Sequence, residues 1–148
     1  MKFGGLNLLS TQFLMDLVCG RPEAISWAET VRVDEVAVSA VSVAAVRAKI
    51  DTGQIADGIE PLGSNLRKFE AVMCRGGGLL AFGEHEAAAW ADLLNIHLSV
   101  GDPSGDHELD DAGRMVAATA IARGLVLIEE RHPYHGTIPD LRTRNPYA

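Results

Sequence analysis

The side chains of this chain that could do chemistry fall in three places. Asp110 and Asp111 precede an alanine-rich stretch, Glu129 and Glu130 close an apolar run, and Ser10-Thr11-Gln12 separates an apolar run from a helical repeat. Clustered carboxylates suit a hard divalent cation, because Mg²⁺ takes oxygen ligands. Asp111 with Glu129 would make such a pair, without an acid from the first apolar run to complete it. The same acids have a plainer use, since Asp110 and Asp111 would cap the following helix and complement its dipole.

Other candidates carry less. His132 and His135 form H-x-x-H, too few ligands for a zinc site by themselves. Asp102, Asp106, Glu108 and Asp110 have the composition of a calcium loop, but His107 stands where such a loop needs glycine. Ser10 has no sequence-evident His partner, which leaves it a capping or crevice-lining hydroxyl rather than a nucleophile. Asp16 reads as a solvated or hydrogen-bonded surface acid. Cys19 and Cys74 lack metal spacing and read as buried free thiols of a reducing cytoplasm.

The elements that must position these groups alternate between strand and helix. Leu6 to Leu9 reads as a first strand, followed by a helix on Phe13, Leu14, Leu17 and Val18. Gly20-Arg21-Pro22 reads as a stop and restart, with Pro22 suited to a first turn. The second helix runs from Glu23 to about Val31, burying Ile25 and Trp27. Val36 to Val41 alternates as a strand, with Ser42 as cap of a helix striped by Val43, Val46 and Ile50. A polar loop is expected from Gly53 to Gly63, then a helix from Ser64 to Gly76-Gly77-Gly78, a strand over "LLAF" and a helix over "HEAAAWADLLN". Gly101 to Asp111 reads as an acidic loop. "AGRMVAATAIARG" is helical with Gly124 as C-cap, "LVLIEE" is a buried parallel strand, and the proline-bearing tail from Arg131 would wrap the surface. Strands alternating with helices imply a parallel sheet, whose strand-to-helix junctions open the crevices that hold chemistry.

The bulk numbers fit this reading. A chain of 148 residues, 47% hydrophobic and 22% charged, suits one domain over residues 1–148 and a folded state rather than disorder. A net charge of −7 argues against strong unaided nucleic-acid binding, which draws on a basic face. No apolar stretch is long enough to span a membrane, and the N-terminus lacks a secretory leader pattern, so a cytoplasmic protein is expected.

Several phrases, in this order and spacing, resemble the PIN domain, in particular the small bacterial VapC toxins. They are "LLSTQFLMDLVCGRPEAISW", "VAVSAVSVAAVRAKI", "LLAFGEHEAAAWADLL", and "DDAGRMVAATAIARGLVLIEER" with "IPDLRTRNP"; together they cover nearly the whole chain. The resemblance implies a three-layer α/β/α fold with a four- to five-stranded, mainly parallel sheet. It also implies an Mg²⁺- or Mn²⁺-dependent endoribonuclease of a toxin-antitoxin or plasmid-stability system, in which three or four carboxylates at the carboxyl edge of the sheet hold the cation.

Carried over position by position, those carboxylates are missing. The opening aspartate falls on Ser10, with Thr11 kept and Gln12 for asparagine; the helix glutamate falls on Ala45; the third acid falls on Gly113; the last falls near Tyr134. The expectation is therefore a pseudoenzyme, with no catalytic residue, no metal ligand and no cofactor, acting by binding itself, an antitoxin-like partner or RNA without cleavage. The crevice for that binding would be lined by Ser10, Thr11, Gln12, Arg47 and Arg114, the two arginines lying near lost carboxylates. The resemblance implies a homodimer. The alternative is a divergent Mg²⁺- or Mn²⁺-dependent ribonuclease that uses relocated acids: Asp110, Asp111, Glu129 or Glu130.

Overall fold

The computed structural model describes residues 6–53, 59–102 and 104–148, with the backbone alone at Ile59, Glu60 and Asp102. Five parallel strands form one sheet in the order β3-β2-β1-β6-β7: β1 is Asn7–Leu9, β2 Val36–Ser39, β3 Leu79–Leu80, β6 Val126–Ile128 and β7 Arg142–Arg144. Successive residues on the central strands face opposite sides, as the two-residue period requires. Leu9, Val38 and Ile128 go into one core with helices α1 (Thr11–Val18), α2 (Pro22–Ala28), α3 (Ala40–Asp51) and α4 (Ile59–Gly76). Leu8, Ala37 and Leu127 go into the other, with α5 (Glu84–Leu93) and α6 (Asp111–Arg123). The result is the three-layer α/β/α arrangement with a parallel sheet.

Helices α1 and α3 start from serine caps. Ser10 closes α1, its Oγ accepting from the Phe13 N–H at 3.1 Å. The cap of α3 is Ser39, accepting from Val41 N–H at 3.0 Å, and not Ser42 as the sequence suggested. Strand β2 ends two residues earlier than its alternation implied, because the chain turns helical as soon as a capping hydroxyl is available. Ser42 is fully buried instead and pairs with Thr11 Oγ1 at 3.1 Å. At the other end of α6, Gly124 takes φ 65° in the left-handed region, which glycine adopts without a Cβ penalty.

Several expectations need correction. Helix α4 begins at Ile59, before Ser64, since Pro61 in a first turn lacks only an N–H that would have no partner there; residues 54–58 of the expected loop lie outside the described residues. In α2, Ala24 is the buried residue while Ile25 is 40% exposed. Cys19 is half-buried and Cys74 exposed on the outer side of α4, so the pair are not core thiols. The acidic loop is an antiparallel hairpin of β4 (Ser99–Asp102) and β5 (Gly105–Glu108), with Ser99 opposite Glu108. The tail does not merely wrap the surface, since Arg142–Arg144 adds the fifth parallel strand beside β6. Among the described residues, no helix is long and apolar enough to cross a membrane.

Candidate functional site

The carboxyl ends of β1, β2 and β6 meet at one edge of the sheet, and a crevice of about 680 Å³ opens there. Part of its lining is uncharged. Ser10, Thr11 and Gln12 enter from the start of α1, Ala45 from α3, and Ala112, Gly113 and Val116 from α6. Ser10 is 2% exposed, its hydroxyl spent on the α1 cap, while Thr11 is bonded to Ser42 and Gln12 donates to Asp16 Oδ1 at 3.0 Å. Gly113 is closed to a side chain: a Cβ there would lie 2.4 Å from Leu109 Cδ1 and 3.0 Å from Asp110 Oδ1.

Of the four acids offered as alternatives, Asp110 and Glu129 are engaged by the fold, and Asp110, Glu129 and Glu130 all line the crevice. Asp110 lines the crevice but is the cap of α6, its Oδ1 accepting from Gly113 N–H at 2.8 Å. Asp111 sits exposed in the first turn of α6 and does not line the crevice. Glu129 and Glu130 follow the last residue of β6, so strand alternation does not aim them. Glu129 is held on one oxygen by Tyr134 OH and, at 2.7 Å, by His135 Nε2. Burial and the neighbouring Glu129 carboxylate push the Tyr134 phenol well above its ordinary value. Glu130 lines the crevice and is exposed.

Neither arginine named from the sequence reaches the crevice. Arg47 turns to the outside of α3, within 3.3 Å of Glu70 on α4. Arg114 is 7% exposed and lies beneath the hairpin, donating to the carbonyls of Ile96 at 2.8 Å, Leu109 at 3.1 Å and Leu93, and to Glu108. Lys49 supplies a cation to the wall instead, one helical turn beyond Ala45. That spacing was visible in the sequence once Ala45 was placed. The hairpin adds Val100, Gly101, His107 and Glu108, the turn after β6 adds Arg131 and His132, and the strand after it adds Asn145. These contributions come from chain segments far apart, which no local pattern reveals.

The donor set does not fit a divalent cation. Among the described residues no three His, Cys, Asp or Glu side chains come together as a metal-holding group. One oxygen of Asp110 and one of Glu129 already accept from protein donors, and Ser10, Ala45 and Gly113 offer no carboxylate.

A second concavity, of about 290 Å³, lies on the far side of α1. Leu17, Trp27, Val33, Phe69 and Val72 give it an apolar lining between α2 and α4, with Arg32 and Lys68 beside them. Val33 is 57% exposed and Val72 38%.

No family model and no curated protein matches the sequence. Solved structures match the fold over almost its whole length. FitAcB from Neisseria gonorrhoeae superposes with a TM-score of 0.68 at 22% identity, covering 96% of this chain and 99% of that one. VapBC2 from Rickettsia felis, bound to a DNA fragment from its promoter, gives 0.71 at 14% identity, covering 95% and 98%. A toxin-antitoxin complex from Klebsiella pneumoniae gives 0.65 at 20% identity, also covering 95% and 98%. The chain has a VapC-like PIN fold.

Proposed function

We propose that this chain is a VapC-like PIN protein that has given up metal-dependent RNA cleavage and acts by binding. The observation that carries this is that Ser10, Ala45 and Gly113 line the crevice at the carboxyl edge of the sheet without a carboxylate. One lost acid would tune a metal site; with three uncharged positions, only Glu108, Asp110, Glu129 and Glu130 remain along the crevice to offset a cation's dehydration. The acids that remain nearby serve the fold, Asp110 as a helix cap and Glu129 as the anchor of the turn after β6.

An antitoxin-like protein is the partner this reading favours. The solved relatives in fold include toxin-antitoxin complexes, and the groove beside Trp27 and Phe69 offers an apolar face that burial against a partner would stabilise. Self-association as a homodimer, and RNA held without cleavage, belong to the same binding reading, with the cytoplasm as the expected setting. In either case the chain's own residues would provide shape and hydrogen bonds: the Gln12 and Asn145 amides, Lys49 and Arg131 at the crevice, and aromatic faces at the groove.

The test is direct. The purified protein, incubated with a mixed RNA substrate and Mn²⁺ or Mg²⁺, should leave the RNA intact. Cleavage that EDTA stops would overturn the proposal.

A further inference from the structure

Two side-chain amides line the crevice, Gln12 from the start of α1 and Asn145 from the residue after β7. Each has its sense fixed by a partner that can play only one part. Gln12 Nε2 lies 3.0 Å from Asp16 Oδ1, one turn further along α1. A carboxylate only accepts, so Gln12 must turn its nitrogen to Asp16, and Oε1 is the atom it can offer as an acceptor. Asn145 Oδ1 lies 2.9 Å from the Tyr147 nitrogen. A backbone N–H only donates, so Asn145 must turn its oxygen to the chain and offer its NH₂ as a donor. Asp16 joins the two, since its Oδ2 accepts from the Tyr147 hydroxyl at 2.5 Å and lies 3.3 Å from Arg21. Only 14% of the Asp16 side chain is exposed. The Tyr147 ring is held in place as well, 5.8 Å from Phe13 and 3.9 Å beneath the Arg21 guanidinium.

We infer that Asp16 is a positioning residue of the crevice: it holds Gln12 as an acceptor while the Tyr147 turn holds Asn145 as a donor, so that the crevice selects a peptide bond over a phosphate. A peptide bond donates through its N–H and accepts through its C=O, and a polypeptide repeats the pair at every residue other than proline. The inference rests on the binding reading and deepens it, by naming the chemistry of the occupant.

A phosphodiester fits the same atoms poorly. Its oxygens only accept, so they could use the Asn145 NH₂ but not Gln12 Oε1. To reach the second proton on Gln12 Nε2, a phosphate would have to approach the Asp16 carboxylate, whose Oδ1 lies 3.0 Å from that nitrogen. Like charges that close repel. The charged lining agrees, because Glu108, Asp110, Glu129 and Glu130 outnumber Lys49 and Arg131, whereas a nucleic-acid backbone is held by an excess of cations. A peptide backbone carries no charge and meets no such opposition.

Nitrogen-resolved NMR of the side-chain amides in the intact protein tests this. Neither metal nor RNA is added, so a failure here is a separate result from RNA cleavage. In the native protein the Gln12 NH₂ should show one hydrogen-bonded proton, and N-acetylglycine methylamide, a neutral diamide, should shift the side-chain amides of both Gln12 and Asn145. Inorganic phosphate should leave Gln12 where it is. In Asp16→Asn the new NH₂ can donate to Gln12 Oε1, so Gln12 should lose its hydrogen-bonded signature and its response to the diamide. Asp16→Glu, which restores a carboxylate one turn from Gln12, should recover both. A Gln12 amide that looks free in the native protein would overturn the inference. So would a diamide that moves neither amide up to its solubility, or a phosphate that moves Gln12 when the diamide does not, the result expected of an RNA site. A folded Asp16→Asn protein with the native signature and response would overturn the role of Asp16.

Discussion

Arg114 and Glu108 are joined across the base of the hairpin, the guanidinium buried and the carboxylate half in solvent. Arg114 also donates to three backbone carbonyls, those of Leu93, Ile96 and Leu109. It thus ties the end of α5, both ends of the hairpin and the start of α6 to one side chain. Leu98 N–H donates to the same Glu108 Oε2, at 3.3 Å. The hairpin wall of the crevice is built on Arg114, although Arg114 never reaches the crevice.

Arg114→Met should therefore cost stability and loosen one wall. Three carbonyls lose their side-chain donor, and unsatisfied buried groups cost about 1–3 kcal/mol each when water cannot replace the partner. The half-exposed Glu108 contributes less because solvent screens it. A loss of about 2–4 kcal/mol in urea denaturation is expected, with amide protection in Ser99–Glu108 falling before that of the parallel sheet. Unchanged hairpin protection would show that the strands hold themselves.

Two floor positions should respond differently to alanine. Ser10→Ala removes the α1 cap and should cost about 1 kcal/mol. Gly113→Ala gains helix propensity of about 1 kcal/mol but drives a methyl to 2.4 Å from Leu109 Cδ1, an overpacking that costs about 1–3 kcal/mol. The clash should win, giving a less stable protein despite the better helix former. A stabilised Gly113→Ala variant would mean that Leu109 gives way freely, and the position would then be open to a side chain.

Both tyrosines should resist ionisation. Burial and then Glu129 raise the Tyr134 phenol, and burial, then the hydrogen bond to Asp16, raise that of Tyr147. The Tyr147 hydroxyl donates to Asp16 Oδ2 at 2.5 Å, and its ring carries the Arg21 guanidinium at 3.9 Å. A raised folded value means that the stability is fully present below the unfolded tyrosine's value near 10 and is lost as pH climbs beyond it. Ultraviolet titration should show no phenolate at the usual alkaline midpoint, and then both tyrosines ionising together as the protein unfolds. A phenolate step in the folded protein near pH 10 would contradict this. Tyr147→Phe should leave only the Tyr134 share of the late step.

How far the sequence revealed this protein depends on the residue. Leu8 and Leu9, Ala37 and Val38, and Leu127 and Ile128 announce buried strands by their apolarity, and Gly124 announces the end of α6; such signals are local. The hairpin was hidden because Gly105, Asp106, His107 and Glu108 are exposed and polar, with no apolar alternation to mark a strand. Strand β7, with Arg142 and Arg144 outward at the sheet edge, was hidden for the same reason. At the site, the uncharged residues Ser10, Ala45 and Gly113 line one crevice. Arg47 and Arg114 were misplaced because adjacency in sequence does not fix which way a helix points a side chain. The Glu129–His135 pairing joins residues on either side of a proline turn, and its direction follows from the turn's geometry, which no spacing encodes.

A crevice with no use for a divalent cation should stay silent in calorimetric titration of the purified protein with Mn²⁺ and then Mg²⁺. No saturable heat is expected with either ion, and no change in melting temperature on adding EDTA. A single saturable Mn²⁺ site, lost in Glu129→Gln, would contradict this and return Glu129 to the service of a metal.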